Sequence, residues 1–344
     1  MSRAVRIGVG ISGGVDSAVT ALLLKEQGFA VVGYTMSLGR TGEERSIAEA
    51  RSVAEWLGIP FKVCDLAEAW RREVTDYIRS TYLAGETPNP CVRCNERVKF
   101  GLLPETAFAD GCDFFATGHY ARTGVDASGR VWLKRGVDRK KDQSYFLYRV
   151  RQEVLARTMF PLGGMTKEEV RDKARAAGFP VAEKGDSQDF CGGDPMDFVG
   201  EPDRDGEIVD VGGHVLGHHR GFWHFTPGKR KGLGIGGGTP YYVIGLDPER
   251  NRVVVAFKEN AIVTDFCLKD CVWRVDENEV CETGEQAELF VKVRSGGEPR
   301  GPVRCLDQVC IYEAGLHGVA PGQSAVLYRG DEVLGGGVID YVLV

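Results

Sequence analysis

The stretch Ile11-Ser12-Gly13-Gly14-Val15-Asp16-Ser17 limits what this chain can fold into more than any other. Ahead of it runs Val5 to Ile11, short and made of apolar residues and glycine, which reads as a buried parallel strand. Behind it, Val19, Leu22 and Leu23 recur at helical spacing until Gly28 stops the run. The turn therefore joins a strand to a helix at the carboxyl edge of a parallel sheet. Two glycines let its backbone bend tightly and bring N–H groups close to an anion, and the helix N-terminus adds partial positive charge. Ser12 and Ser17 supply hydroxyls, while Asp16 would repel phosphate unless it acts through a metal or the turn itself.

No Gly-Lys-Ser/Thr follows, so this is not a Walker A loop, and the dinucleotide fingerprint is absent too. Ser-Gly-Gly-Val-Asp-Ser resembles instead the PP-loop of ATP pyrophosphatases, which split ATP between the α and β phosphates. The alternation that follows supports an α/β reading. Strands are expected at Val31 to Met36, Phe61 to Leu66 and Phe114 to Thr117, with helices at Gly42 to Gly58 and Leu66 to Ala84. This rhythm predicts a doubly wound parallel sheet with its ligand at the strand carboxyl ends. Met36 and Gly118, each at a strand end, are candidates to flank the nucleotide.

The 344 residues suggest two or three domains. No stretch reaches the ~18 apolar residues of a membrane span, and no export signal opens the chain, so a soluble cytoplasmic protein is expected. The net charge of −6 gives no global pull on nucleic acid. Lys134-Arg135, Arg139-Lys140-Lys141 and Lys229-Arg230-Lys231 could focus a polyanion onto one face, although any one cluster alone reads as a solvated surface.

Ten cysteines without an export signal argue against a disulfide framework. Cys64, Cys112, Cys267, Cys271, Cys281, Cys305 and Cys310 lie in strand-like or apolar runs and read as buried small hydrophobes. Cys91, Cys94 and Cys191 lie in polar, turn-rich settings. Thr87-Pro88-Asn89-Pro90-Cys91-Val92-Arg93-Cys94-Asn95 is an ordered loop leading into a helix, which would place Cys94 near a helix N-terminus that favours its thiolate. The Cys-x-x-Cys alone suits a zinc half-site, a redox pair or an iron–sulfur ligand pair. Cys191, in a glycine-flanked loop, is as consistent with an inert thiol as with a nucleophile or sulfur carrier. Lys141-Asp142-Gln143-Ser144-Tyr145-Phe146 combines a cation, an amide and aromatics, which suits RNA. Thr166 to Gly178 opens with a capping box and reads as a helix of a small connecting domain. From about residue 205 short β-type runs replace helical periods, which predicts small all-β domains, including a barrel.

Taken in order, Gly10 to Ser17, Thr87 to Pro90, Cys94-Asn95, Thr117 to Arg122, Lys141 to Phe146, Phe160 to Gly163, Arg230 to Ile235 and Pro321 to Gln323 resemble the bacterial tRNA-specific 2-thiouridylases along nearly the whole chain. The resemblance implies an α/β plus all-β protein. A PP-loop (HUP-type) adenylation domain would span 1–150, a small central domain carrying Cys191 151–204, a β-rich tRNA-contacting domain 205–265, and a C-terminal β-barrel 266–344. It implies ATP and Mg2+ as cofactors, with Gly10, Ile11, Ser12, Gly13, Gly14, Val15, Asp16, Ser17, Met36 and Gly118 around the nucleotide and no protein ligand named for the metal. The activity implied is adenylation of the wobble-uridine C2 oxygen followed by sulfur transfer, on the anticodon stem-loop of tRNA. Cys94 and Cys191 would be catalytic, Cys191 carrying a persulfide. Asn89, Pro90, Cys91, His119, Lys141, Asp142, Gln143, Arg294 and Gln323 would contact tRNA. Sulfur would come from a cysteine desulfurase or a sulfur-relay protein.

Two departures stand out. The family usually has aspartate where this chain has Cys91, so Cys91, Cys94 and Cys191 could together hold a [4Fe–4S] cluster. Ser295 stands where an aromatic is more usual, which weakens the assignment of Arg294. The competing readings are another PP-loop pyrophosphatase, such as an amide ligase or lysidine-type synthase, and a tRNA-binding protein without catalysis.

Overall fold

The computed structural model describes residues 4–179, 193–236, 238–281, 288–306 and 308–343. The chain folds as two compact units. The first comprises Met1–Val74, Cys91–Gly193 and Asp331–Val333; the second comprises Thr75–Pro90, Asp194–Gly330 and Leu334–Val344.

The first unit is built on β1 (Arg6–Gly10), β2 (Ala30–Ser37), β3 (Phe61–Asp65), β4 (Phe114–Ala116), the hairpin β5 (Ala121–Val125) and β6 (Val131–Arg135), and the short β7 (Thr158–Met159). Five of these form a sheet in the order β3-β2-β1-β4-β7, parallel throughout. Parallel neighbours need crossovers, and the chain supplies α1 (Val15–Glu26) and α2 (Glu43–Leu57). Gly58 ends α2 in the left-handed conformation at φ 63°, donating its N–H back to the last turn.

Both faces of the sheet are covered, as a doubly wound sheet requires. On one face Ile7, Val9 and Ile11 pack with Val15, Val19 and Leu24 of α1 and Val53 and Leu57 of α2. Val170 and Ala174, from the helix Lys167–Ala176, join the same cluster. On the other face Val32, Tyr34 and Phe115 pack with Leu103 and Ala107. A side chain on Gly8 would come 2.8 Å from the Ala107 Cβ, so glycine lets that helix lie flat on the sheet. Burying each such aliphatic stabilises the fold by roughly 1.5–3 kcal/mol. The strand order reverses between β1 and β4, and in open parallel sheets that reversal opens a crevice at the strand carboxyl ends.

The helix expected from 66 to 84 is α-helical at Ala67–Trp70 and Asp76–Leu83, with a π-turn at Arg71–Thr75 between them. In the second unit, β8 (Gly206–Val209), β9 (Val215–His219), β10 (Tyr241–Asp247) and β11 (Arg252–Phe257) form a four-stranded sheet over Phe222, Trp223 and Phe225. Then β12 (Ile262–Trp273), β13 (Leu289–Lys292), β14 (Arg300–Leu306), β15 (Val309–His317), β16 (Ser324–Arg329) and β17 (Glu332–Leu343) close into a barrel in the order β12-β15-β14-β13-β16-β17, with β17 pairing back onto β12. Closure removes the free edges that strands otherwise expose. At the start of β17, within the first unit, Glu332 lies opposite Lys134 of β6.

Cys64, Cys112, Cys267, Cys305 and Cys310 are buried and Cys271 is half-buried, as expected of small hydrophobes. The side chain of Cys281 lies outside the described residues. Among the described residues no helix is long and apolar enough to cross a membrane.

Candidate functional site

The loop after β1 sits at the crevice and is held by its own hydroxyl. Ser17 is buried; its Oγ donates to the Gly14 carbonyl at 3.0 Å and accepts the Ser12 N–H at 3.2 Å. Ser12 is exposed. Ser17 staples the turn, and the Oγ of the exposed Ser12 lies 3.3 Å from the Ser17 Oγ. Gly13 is left-handed at φ 76°, and a side chain there would meet the Glu49 Cβ at 2.8 Å. The first N–H groups of α1 have no partner inside the helix, so the turn is an anion cradle. Replacing Ser17 with alanine removes the staple while adding no bulk. For the activity the sequence resemblance implies, ATP-dependent AMP release is expected to fall about tenfold to hundredfold, the worth of one or two lost hydrogen bonds, with unchanged tRNA binding in a filter assay.

Gly118 closes the other side. A Cβ there would lie 2.8 Å from the Asp16 carbonyl carbon and 3.0 Å from the Ser17 nitrogen, so the backbone after β4 crosses the first turn of α1 at a distance only glycine permits. Met36, half-buried near the end of β2, packs with the cluster on the opposite face from α1. A narrow cradle formed by glycine backbone fits a nucleotide phosphate.

Asp16 is not a free carboxylate. Lys167 Nζ lies 2.7 and 2.8 Å from its two oxygens, and the Tyr120 hydroxyl donates to Oδ1 at 2.8 Å. Tyr120 is held in turn by Gln143, whose Oε1 accepts the Tyr120 N–H at 3.0 Å and whose own N–H donates to the Tyr120 carbonyl at 2.9 Å. Asp142 fixes this loop. Its fully enclosed carboxylate pairs with Arg135 at 3.3 Å and accepts the N–H groups of Gly136 and Ser144, each at 3.1 Å, and the Ser144 hydroxyl. Asp142 and Gln143, expected to face tRNA, thus build the scaffold that aims Tyr120 at Asp16. Lys141, beside them, is half-buried.

His119 is also placed inside. It is 8 % exposed, lies between the rings of Phe100 and Phe160, and its Nδ1 is 2.8 Å from the Thr117 hydroxyl. Burial, with a smaller push from Lys99, holds its imidazole well below the ordinary value of 6.5, so it is neutral.

The cysteine pair lies on one helical run, Pro90–Cys94 continuing as the π-turn Asn95–Lys99. Cys94 ends the first of these segments and so sits inside the run; Cys91 occupies the first turn. Pro90 already starts the helix, so Cys91, and not Cys94 as expected, stands at its N-terminal end. Three residues apart, the two share a face. Cys94 is buried and Cys91 half-buried. The run is anchored by Arg93, which donates to the Glu73 carbonyl at 3.0 Å, and by Arg149 with Glu96, also at 3.0 Å. Cys191 lies outside the described residues. Among the described residues no group of three His, Cys, Asp or Glu is placed to hold a metal.

In the second unit, two motifs far apart in sequence meet. Thr87 N–H donates to the Pro321 carbonyl at 2.7 Å, Gln323 Nε2 donates to the Pro88 carbonyl at 2.6 Å, and Asn89 Nδ2 reaches the Ser324 hydroxyl at 3.4 Å. Gly322, at φ 87°, approaches Thr87 so closely that a Cβ would come within 2.9 Å of its nitrogen. Gln323 and Asn89 therefore fix the segment that ends at Pro90. Arg294 clamps two carbonyls, those of Gly318 at 2.9 Å and Pro227 at 3.0 Å. Of the basic clusters, Arg135 is committed to Asp142, Arg139 to Asp331 at 2.6 Å, and Lys229 to the His224 carbonyl at 2.8 Å.

Lys167 and Tyr120 were not legible as site residues. The signals available were weak: a tyrosine next to Thr117-Gly118-His119, and a lysine at the first position of a capped helix. The capping box itself is present, with Thr166 and Glu169 exchanging their bonds.

Known proteins match nearly the whole chain. Residues 5–192 match the family model described as tRNA methyl transferase HUP domain, 197–257 the tRNA methyl transferase PRC-barrel domain, and 263–339 the aminomethyltransferase beta-barrel domain. The chain is 44% identical to the tRNA-specific 2-thiouridylase MnmA of Geobacter metallireducens, over 97% of this chain and 96% of that protein. It is 43% identical to the protein of the same name from Acidithiobacillus ferrooxidans, over 96% and 97%. A Picosynechococcus protein of that name is 43% identical, over 98% of each chain.

Proposed function

Because this chain belongs to the tRNA-specific 2-thiouridylase family, we propose that it thiolates the wobble uridine of tRNA at C2 in a reaction driven by ATP. The observation that carries the reading is the glycine cradle at the sheet's reversal point, between Gly13 and Gly118. Methyl transfer, which the family-model descriptions name, gives no use to a loop that binds a nucleotide triphosphate.

A uracil C2 carbonyl is a poor electrophile. Its oxygen attacks the α-phosphorus; the O–Pα bond forms, and the Pα–O bond to the β-phosphate breaks with its electron pair on pyrophosphate. Backbone N–H groups at Gly13 to Asp16 stabilise the charge that develops. The adenylated oxygen is then a good leaving group. Sulfur attacks C2, the C–O bond breaks, and AMP departs with the pair. The wobble base is single-stranded and can be splayed into a pocket.

Cys94 and Cys191 are assigned to the sulfur step. In one route the outer sulfur of a Cys191 persulfide attacks C2 and the Cys94 thiolate then breaks the S–S bond, leaving 2-thiouridine and a Cys94–Cys191 disulfide that a thiol reductant reopens; in the other, a [4Fe–4S] cluster, which Cys91, Cys94 and Cys191 would hold, would supply sulfide. The half-buried Cys91, one turn from Cys94, supports the cluster set; Cys191 must complete it. The supply is a cysteine desulfurase or a sulfur-relay protein. Mg2+ enters with ATP, and chelation should stop AMP release. The adenylation, central, tRNA-contacting and barrel roles are assigned to 1–150, 151–204, 205–265 and 266–344, and the protein to the cytoplasm, where its tRNA substrate resides. Lys141 is the direct tRNA contact in its loop, with Asp142, Gln143 and His119 acting through loop shape. Asn89, Pro90 and Cys91 flank the target base, supported by Gln323, and Arg294 supports the tRNA-facing surface through its two carbonyls.

The test is AMP and pyrophosphate release with unmodified tRNA, ATP and a sulfur source, either a cysteine desulfurase with cysteine and a thiol reductant or sulfide, beside 2-thiouridine on an organomercury gel. Equal amounts of AMP and 2-thiouridine are expected, and none of either when the wobble base is not uridine. AMP release that consumes an amine instead would mark a ligase-type pyrophosphatase, and tRNA binding with no AMP release would mark a binder.

A further inference from the structure

The phosphate loop from Gly10 to Ser17 contains no lysine or arginine, yet the reaction leaves pyrophosphate there. A cation stands beside it from another part of the chain. Lys167 is the first residue of the helix Lys167–Ala176, which packs on α1 through Val170 and Ala174. Its backbone N–H is held by Asp138 at 3.0 Å, and its Nζ lies 2.7 and 2.8 Å from the Asp16 carboxylate oxygens. Asp16 is in the first turn of α1, the turn that cradles phosphate. The Lys167 side chain is 10% exposed and that of Asp16 32%, so the pair is open to an incoming ligand on the Asp16 side.

The pairing has a consequence for binding. A carboxylate in the first helical turn suits the helix dipole but opposes the triphosphate that needs the same turn. Lys167 offsets that repulsion, and an ammonium on a four-carbon stem can change partners by rotamer changes alone. Asp16 would not be stranded, since Tyr120 donates to it at 2.8 Å independently of Lys167.

We propose that Lys167 is the phosphate-binding cation of this enzyme, passing from Asp16 to the β- and γ-phosphates when ATP enters. It then neutralises pyrophosphate as the Pα–O bond breaks and the electron pair stays on the leaving oxygen; Lys167 remains protonated and no proton moves. This rests on the reading of the site as an ATP site.

The experiment compares ATP and AMP binding by calorimetry for wild type, Lys167→Met, Lys167→Arg and the charge-balanced Asp16→Asn/Lys167→Met, with melting temperatures as a fold control. Lys167→Met should weaken ATP about tenfold to hundredfold, the range for a charge-assisted hydrogen bond, and AMP less than about twofold. Lys167→Arg should recover much of the ATP affinity, and the double variant should stay weak for ATP. Recovery of wild-type ATP affinity in the double variant would overturn the proposal, because Lys167 would then serve only to neutralise Asp16. Equal weakening of ATP and AMP would overturn it as well. A wild-type protein that binds neither nucleotide would overturn the ATP reading itself, and the role of Lys167 with it.

Discussion

Cys94→Ser protein should release pyrophosphate as it adenylates substrate tRNA and yet form at least about 10³-fold less 2-thiouridine than wild type. Serine is nearly isosteric, and Cys94 is buried within a helical run anchored by Arg93 and Arg149, so the fold should survive. What changes is chemical. A hydroxyl neither carries sulfur nor ligates iron at neutral pH, whereas a thiolate does both. The adenylation step is assigned above to other residues, Ser12 to Ser17 and Gly118, and should keep working. The split between pyrophosphate and 2-thiouridine is therefore the readout. Loss of both products together would place Cys94 in the nucleotide site or in the fold, and retention of both would remove it from the reaction.

Cys91 separates the two sulfur routes. In anaerobically purified wild type, about four irons per chain, lost in Cys91→Asp and in Cys94→Ser, would support the cluster. Negligible iron in protein that still thiolates tRNA would leave the persulfide route, with Cys91 outside the sulfur chemistry.

The parts of the fold that could be read from the chain are those in which local pattern and tertiary role agree. Ile11 to Ser17 declares a strand, a tight turn and a helix at once, and Gly28 and Gly58 stop helices where their periodicity ends. The barrel was legible only as a class. Strand β12 is interrupted by Asp265, Lys269 and Asp270, so its alternation fails in the sequence; in the fold Asp265 borders a register shift against β15, Lys269 and Asp270 fall at one against β17, and Lys269 is neutralised by Glu86 at 2.7 Å and Asp340 at 2.9 Å. Distant partners of this kind leave no local signal. The same applies to the site. Asp16 was identified, but its partners Tyr120 and Lys167 lie more than a hundred residues away, and nothing in the spacing ties them to it. Likewise the polar run at 141–144 has the composition of an RNA-facing loop, yet the side chains of Asp142, Gln143 and Ser144 bond inward. Composition reports which groups can bind tRNA; it does not report which of them the fold has already used.

That distinction yields a large and testable asymmetry between neighbours. Asp142→Ala should destabilise the protein by about 3 kcal/mol or more, because it removes the carboxylate facing the buried Arg135 guanidinium and three further donors. Asp142→Asn keeps some of those bonds and should lose less. Lys141→Ala, at the next position, leaves the enclosed Asp142 network in place and should cost less stability than Asp142→Ala. On tRNA the order reverses in kind. Lys141→Ala should weaken binding and lower the slope of log K against log salt by about one, the signature of a single lost phosphate contact. Asp142→Ala should leave that slope unchanged in whatever protein remains folded. It should also weaken ATP binding, since Gln143 and the loop that Asp142 fixes hold Tyr120, and Tyr120 holds Asp16 at 2.8 Å. Urea unfolding, tRNA binding across a salt series, and ATP calorimetry on the three variants decide the matter. A normally stable Asp142→Ala protein with altered tRNA binding would mean that the carboxylate reads RNA directly. A destabilised one with weakened ATP affinity would mean that this loop serves tRNA thiolation from the inside, by holding the nucleotide site in shape.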